Sequence, residues 1–270
     1  MSSTNQAATF RALHNNKTNM LILPNAWDAC SAALMRGLGA QAVATTSAGL
    51  AWALGYPDGN AIPIELHASS IRQIVRVVTC PVSADVEGGY SDNPQQAAEN
   101  IMRIIEAGAV GINMEDGHGS PDLLCRKIEA VKLLATQSGI DVFVNARTDV
   151  YLKRLATGQE LSETLRRSAL YKSAGADGLF VPAVVHKTEI AALANDQSLP
   201  LNVMAVPSLL TRAELAELGV RRLSAGSGLA QKVWAAAKQA GSTFLNEGCT
   251  DSLFSDALTF GELNALFGNK

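Results

Sequence analysis

Three acidic side chains fall in two short motifs that could do metal chemistry. Asp85 and Glu87 stand two residues apart in Ser83-Ala84-Asp85-Val86-Glu87-Gly88-Gly89, and Glu115 closes Gly111-Ile112-Asn113-Met114-Glu115. On extended backbone, residues two apart share a face. The spacing therefore predicts that Asp85 and Glu87 point the same way, with Glu115 arriving from the adjacent strand at similar height. Converging carboxylates repel one another unless a cation is present. Oxygen-only ligation favours a hard ion, Mg2+ or Mn2+, over zinc, and no Cys or His lies close enough in sequence to complete a zinc set. Arg147, in Asn145-Ala146-Arg147-Thr148-Asp149, could grip a carboxylate or phosphonate through paired hydrogen bonds, or form a salt bridge to a neighbouring acid. Ser47-Ala48-Gly49 offers small side chains and backbone N–H groups that could receive a substrate carboxylate, or could be a tight turn. Imidazoles titrate near neutral pH, so His118 in Asp116-Gly117-His118 is the first candidate general acid or base, and equally a plain loop histidine. Asp58 lies in the turn-rich stretch Leu54-Gly55-Tyr56-Pro57-Asp58-Gly59-Asn60, where an aspartate is ordinary.

These residues need a scaffold that delivers several chain ends to one place. One punctuation recurs along the sequence: a short apolar run, a polar or acidic cluster, a longer stretch of helical periodicity, then Gly-Ala or Pro. The runs Leu21–Pro24, Ala42–Thr46, Val82–Asp85, Gly111–Glu115, Val142–Ala146, Gly178–Pro182, Leu201–Met204 and Arg222–Ala225 are predicted strands. They are mostly apolar on both faces, as strands of a buried parallel sheet are. Between and after them the periodicity predicts helices over Asp28–Leu38, Ile64–Val77, Pro94–Ala107, Pro121–Thr136, Leu161–Ser173, Lys187–Ala194, Arg212–Leu218 and Leu229–Ala240. This alternation is that of a (β/α)8 TIM-type barrel, whose active sites form at the carboxyl ends of the strands. A doubly wound open sheet would want a glycine-rich first turn, and Asn25-Ala26-Trp27-Asp28 has no glycine.

The chain of 270 residues suits one such barrel, and 47 % hydrophobic against 17 % charged residues supports a large core. A net charge of −3, without any Lys/Arg run, argues against nucleic acid or an anionic membrane surface as partner. The apolar stretches are too short and interrupted to span a bilayer. Cys30, Cys80, Cys125 and Cys249 form no Cys-x-x-Cys pair and read as free thiols of a reducing cytoplasm. The start MSSTNQAATF lacks the pattern of a signal peptide. We expect a catalytic barrel over 1–240 and extra C-terminal helices over 241–270. In that appendage Phe244, Phe254, Leu258, Phe260, Leu263 and Phe267 would be a heavy apolar load on a free surface, so it should pack on the barrel or on another subunit.

Taken together, Leu54-Gly55-Tyr56-Pro57-Asp58, Asp85-Val86-Glu87-Gly88-Gly89-Tyr90, Gly111-Ile112-Asn113-Met114-Glu115-Asp116 and Asn145-Ala146-Arg147-Thr148-Asp149 resemble the isocitrate lyase / phosphoenolpyruvate mutase superfamily. The match runs from about Pro24 to Gly226, in register with the predicted strands. The resemblance implies a Mg2+-dependent barrel enzyme acting on 2-oxo acids or phosphonate analogues through a metal-stabilised enolate. It implies that Asp85 ligates the metal directly, that Asp58, Glu87 and Glu115 assist through waters, that Ser47, Ala48 and Gly49 bind a substrate carboxylate, and that Arg147 contacts the oxo acid. It also implies a homo-oligomer, a dimer or a tetramer, that exchanges C-terminal helices. One departure stands out. The superfamily's isocitrate and methylisocitrate lyases carry a Lys-x-Cys-Gly-His loop after the fourth strand, whereas here Asp116-Gly117-His118-Gly119-Ser120-Pro121 is short and lacks both Lys and Cys. Cys125 falls in a predicted helix. The leading expectation is a lyase or decarboxylase for a small 2-oxo or 2-hydroxy di- or tricarboxylate. Phosphorus–carbon chemistry on a phosphonopyruvate-like substrate is the first alternative, although the loop lacks the Lys and Asn it expects. A non-catalytic barrel that binds a 2-oxo acid is the second. Trp52, Tyr90, His118 and Tyr151 are candidates for setting specificity at the mouth.

Overall fold

Short apolar runs bounded by glycine or proline form the strands, and the amphipathic stretches between them wrap around the outside. The computed structural model describes residues 3–196 and 198–268; the first two and last two residues of the expected domain bounds lie outside the described residues. The chain runs through α1 (Ser3–Asn15), β1 (Leu21–Leu23), β2 (Asn25–Ala26), α2 (Ala29–Gly37), β3 (Val43–Thr45), α3 (Ser47–Ala53), α4 (Ile64–Val77) and β4 (Val82–Asp85). It continues through α5 (Pro94–Glu106), β5 (Gly111–Glu115), α6 (Pro121–Gln137), β6 (Phe143–Arg147), α7 (Glu160–Ser173), β7 (Gly178–Val181) and α8 (Lys187–Asn195). The last elements are β8 (Leu201–Met204), α9 (Arg212–Glu217), β9 (Arg222–Ser224), α10 (Gly228–Glu247), a 3-10 turn at Asp251–Leu253, and α11 (Phe260–Ala265).

All strand pairings are parallel, in the order β1-β9-β8-β7-β6-β5-β4-β3-β2. β1 and β2 are two halves of one strand interrupted at Pro24, which has no N–H to give the ladder. β1 pairs with β9 and β2 with β3, so the interrupted strand joins the two ends of the sheet into a (β/α)8 barrel. Asn25 ties the join: its Nδ2 donates to the Thr45 carbonyl at 2.8 Å, and its Oδ1 accepts from the N–H groups of Ala225 and Gly226 at 2.9 and 3.0 Å.

The helices form where the sequence places caps and stripes. In α5, Asn93 accepts from the N–H groups of Gln95 and Gln96, Pro94 occupies the first turn, and Ala97, Ala98, Ile101, Ile104 and Ile105 bury one face. That face meets Ile112 and Met114 of β5 and Ile128 and Val131 of α6, all wholly buried. The barrel interior is not the apolar filling that the strand runs suggest. Asn113, Asn145 and Asn202 meet there, the Asn145 Nδ2 donating to Asn113 Oδ1 at 2.9 Å and to Asn202 Oδ1 at 3.0 Å.

Helix α1 has no counterpart in the sequence-based expectation. It closes the amino end of the barrel with Phe10, wholly buried, edge-on to Phe143 at 5.4 Å, and with His14 stacked on Phe143 at 4.2 Å. Arg11 fastens it from outside through Asp141 at 2.6 Å and Asp177 at 2.7 Å. Burial, then the nearby charge of Arg222, pushes the His14 imidazole down to about 3 from its ordinary 6.5. The unfolded chain therefore takes up a proton as pH falls through 6.5, whereas the folded chain resists until about 3. Stability present above 6.5 should be lost on acidification within that window, by up to about 1.4 kcal/mol per pH unit. Urea unfolding of the wild type and His14→Met near pH 7.5 and near pH 5 tests this. The wild type should lose more stability on acidification than the variant, and equal losses would contradict it.

At the other end of the chain, α10 runs through Gly241 to Glu247, and only Ala230 in its first turn is buried. Val233, Trp234, Phe244 and Leu245 are exposed, as are Phe254, Leu258, Phe260, Leu263 and Phe267 beyond it. The apolar tail thus does not sink into its own barrel. No helix among the described residues is long and apolar enough to cross a membrane.

Candidate active site

The residues singled out in the sequence stand at the carboxyl ends of the strands, but at different heights. Register pairs Asp85 of β4 with Asn113 of β5, not with Glu115. Glu115 sits two residues further along, a rise of about 6.6 Å. It is level with Glu87, whose carbonyl accepts its N–H at 2.9 Å. The expectation that Asp85 and Glu87 share a strand face also needs correction. β4 ends at Asp85, and Glu87 turns into the left-handed region at φ 50, followed by Gly89 at φ 85. The Glu87 carboxylate therefore swings towards Asn60, whose backbone N–H donates to it, with the Tyr90 hydroxyl at 3.5 Å. Among the described residues no three His, Cys, Asp or Glu side chains gather closely enough to form a direct ligand set.

A cavity of about 240 Å3 opens above Asp85 and Asn113, lined also by Asn25, Ser47, Ala48, Asp58 and Arg147. Four of the expected site residues thus meet Asp85 in one cavity. Ser47, Ala48 and Gly49 are not a strand end but the first turn of α3, capped by Thr46. The Ser47 N–H donates to Asp85 Oδ2 at 3.3 Å, and Thr45 Oγ1 accepts from the Asp85 N–H at 2.9 Å. Gly49 is set back from the cavity. A Cβ there would stand 2.7 Å from Thr46 Cγ2, 3.0 Å from Trp27 Cβ and 3.1 Å from Ala230 Cβ, so this glycine lets α3 and α10 approach. Apolar walls come from Leu152, Phe180 and Met204 rather than from Trp52, Tyr90, His118 or Tyr151. Tyr90 instead turns its hydroxyl to His67 Nδ1 at 2.8 Å.

Arg147 is held before any ligand arrives. Its Nη1 pairs with Glu115 Oε2 at 2.6 Å, and its Nε and Nη2 reach the two Asp149 oxygens at 2.7 and 3.2 Å. Asp149 is wholly buried and pairs also with Lys153 at 3.0 Å. Asp116 fixes this arrangement from behind, accepting from the Asp149 N–H at 2.9 Å, from Arg167 at 2.7 Å and from the Tyr171 hydroxyl at 2.5 Å. His118 is exposed and lines a neighbouring cavity of about 340 Å3 with Glu115, Lys127 and Lys153. The structure does not bring His118 into the cavity that holds Asp85. Cys125 lies on α6, packed against the core.

The electrostatics mark the site. Burial raises the Asp85 carboxyl, against the pull of Arg147 and the Ser47 N–H, and Asp58 raises it further. Burial likewise raises Glu87, with Asp58 and Asp85 adding to it. Glu115 is pushed up to about 8, chiefly by burial, despite Arg147 beside it. Acids that disfavour one another's ionisation are what a bound cation would relieve. The donor set is oxygen only, and the Asp85 carboxylate lines the cavity. The residues present therefore fit a hard divalent ion. Sequence reasoning missed Asn60, Asn113, Asp149 and Lys153. The turn Asp58-Gly59-Asn60 and a lone asparagine inside an apolar strand were the available signals.

Known proteins are similar to the chain over most of its length. The family model described as phosphoenolpyruvate phosphomutase matches residues 10–245. An uncharacterized protein of Mycobacterium tuberculosis (strain ATCC 25618 / H37Rv) is 38 % identical over 223 residues, covering 81 % of this chain and 82 % of that protein. The 2,3-dimethylmalate lyase of Eubacterium barkeri is 29 % identical over 98 % of this chain and 94 % of its own. A solved structure from Burkholderia cenocepacia J2315, whose designation leaves lyase and mutase both open, aligns with TM-score 0.89 at 34 % identity, covering 99 % of this chain and 97 % of that one.

Proposed function

The chain belongs to the phosphoenolpyruvate mutase family, within the isocitrate lyase / phosphoenolpyruvate mutase superfamily, an enzyme family of lyases and mutases, and on that premise we propose that it is a divalent-cation-dependent lyase or decarboxylase for a small 2-oxo or 2-hydroxy dicarboxylate. One observation carries the reading. A single cavity of about 240 Å3 places Asp85 opposite Arg147 and beside the first turn of α3. Its size suits an acid of a few carbons, below the range of about 300–1,000 Å3 typical of drug-sized ligands.

Mg2+ or Mn2+ would be held by Asp85 directly, with Glu87, Glu115 and Asp58 acting through water. When bound, the cation stabilises negative charge on the oxo oxygen as the neighbouring bond breaks. The chain's own residues do the rest. The first turn of α3, at Ser47 and Ala48, receives one carboxylate. Arg147, already oriented by Glu115 and Asp149, binds the oxo acid and balances the charge that builds in the transition state without having to reorganise. His118 serves as proton donor only if the loop over 117–120 folds over the cavity.

The test is a substrate panel. Protein with Mg2+ is offered oxaloacetate, methylisocitrate, 2,3-dimethylmalate and phosphonopyruvate. Turnover of one of the carbon acids, abolished by EDTA and restored by Mg2+ or Mn2+, is expected. Turnover of phosphonopyruvate alone would replace this reading with phosphorus–carbon chemistry.

A further inference from the structure

Arg222 is enclosed inside the barrel. It lies on β9, in register with Leu21 of β1 and Asn202 of β8, and it is wholly buried. Among the described residues no carboxylate pairs with it, and its Nε and Nη1 find no acceptor. Among the described residues the guanidinium makes one hydrogen bond, from Nη2 to Asn113 Oδ1 at 3.1 Å. Asn113 in turn lines the floor of the cavity beside Asp85.

This contact has a direction. A guanidinium can only donate, so it must face the oxygen of the Asn113 amide and never its nitrogen. The same oxygen accepts from Asn145 Nδ2, which also donates to Asn202 Oδ1, while Asn202 Nδ2 donates to Ser224 Oγ at 3.1 Å. Asn202 is itself anchored by its Nδ2 donating to the Val203 and Arg222 backbone carbonyls at 2.7 and 3.3 Å, so Asn145 from one side and the Arg222 guanidinium from the other hold the Asn113 amide in one orientation. With Oδ1 of Asn113 occupied twice, its NH2 group is the part left for the cavity. A buried charge without a counter-ion is costly, and replacing such groups by apolar ones of similar size often stabilises a protein. Stability is a poor reason for a guanidinium here, and the pocket above it supplies a better one.

We propose that Arg222 is a positioning residue of the active site, which fixes the Asn113 amide with its N–H groups towards the cavity and sets a buried positive charge beneath it, so that the cavity selects a doubly charged acid. This rests on the oxo-acid reading of the site. The charge also lies outside the reach of bulk screening, because the barrel wall encloses it.

The experiment measures oxalate binding by calorimetry in the presence of Mg2+, oxalate being a planar dianion shaped like an oxo-acid enolate. Thermal unfolding is followed alongside. Arg222→Met should unfold at the same temperature as wild type or higher, and should bind oxalate on the order of ten- to a hundredfold more weakly, the range for a hydrogen bond to a charged group. Arg222→Lys, which keeps the charge, should recover part of the loss. Asn113→Leu should weaken binding by a similar factor, and the double variant no further, because Arg222 acts through Asn113. Unchanged oxalate affinity in Arg222→Met, with or without a lower unfolding temperature, overturns the proposal and leaves the oxo-acid reading intact. If Arg222→Met does not fold, unchanged affinity in Asn113→Leu overturns it, because the route of action is gone. If the wild type itself binds no oxalate with Mg2+, the oxo-acid reading fails and this proposal falls with it.

Discussion

Asp85→Asn should lose turnover by on the order of 10^3-fold while the metal-free protein becomes more stable. The two effects have one cause. Asp85 is held in a buried cavity, where burial and Asp58 keep its carboxyl above the usual carboxylate range. As pH rises above 3.8 the unfolded chain ionises this acid before the folded chain does, so folding becomes less favourable across that rise. Asparagine has the same shape and can still accept from the Ser47 N–H, but it carries no charge to desolvate. It also cannot neutralise a divalent ion. A 10^3-fold loss corresponds to about 4 kcal/mol of transition-state stabilisation.

The measurement pairs activity with thermal unfolding in EDTA and in excess Mg2+. Wild type should gain stability on adding the ion, by about 2.7 kcal/mol at a hundredfold excess over its dissociation constant. Asp85→Asn should start higher in EDTA and gain little. A variant that turns over normally, or that gains as much from Mg2+ as wild type, would show that Asp85 is not the ligand.

The strands were legible because a strand buried on both faces is mostly apolar, and Gly111–Glu115 and Leu201–Met204 stood out as short apolar runs between turns despite Asn113 and Asn202 within them. The barrel followed from their alternation with helices. What the sequence concealed was height. Side-chain period gives the face of a residue within one strand, whereas register between strands decides which residues are neighbours across them. Hence Asp85 lies level with Asn113, and Glu115 level with Glu87. The Glu87 side chain was misdirected for a related reason: period-two reasoning holds only while the chain stays extended, and Gly88-Gly89 was the sign that it does not. Helix α1 hid behind a polar start, although Ala7, Phe10 and His14 form a stripe along it. Arg222 hid best of all, because a basic residue at a strand edge reads as solvent-facing until the barrel closes around it.

Removal of residues 243–270 should shift the protein to a smaller oligomer. Outward-facing strand residues of a (β/α)8 barrel are normally covered by the helix that follows. Here Ile22 of β1 faces outward and is 39 % exposed, in a groove of about 610 Å3 bounded by Met20, Pro24, Met35, Leu38 and Arg212. The helix due to cover that side is α10, yet past Ala230 it leaves its own barrel. Its 20 residues extend about 30 Å. The apolar row along and beyond it, with Trp234 45 % and Phe260 84 % exposed, is too large to face water on a single chain. A second copy of the chain meets both needs at once, because a helix given to a neighbour's groove is answered by the neighbour's helix in one's own. Sedimentation velocity should therefore show an assembly for the full chain and a smaller species for the truncated one. Trp234→Asp should move the full-length chain in the same direction, because it places a charge on the donated face without shortening the helix. Identical sedimentation of the full, truncated and Trp234→Asp chains would leave the groove and the tail without the partner assigned to them.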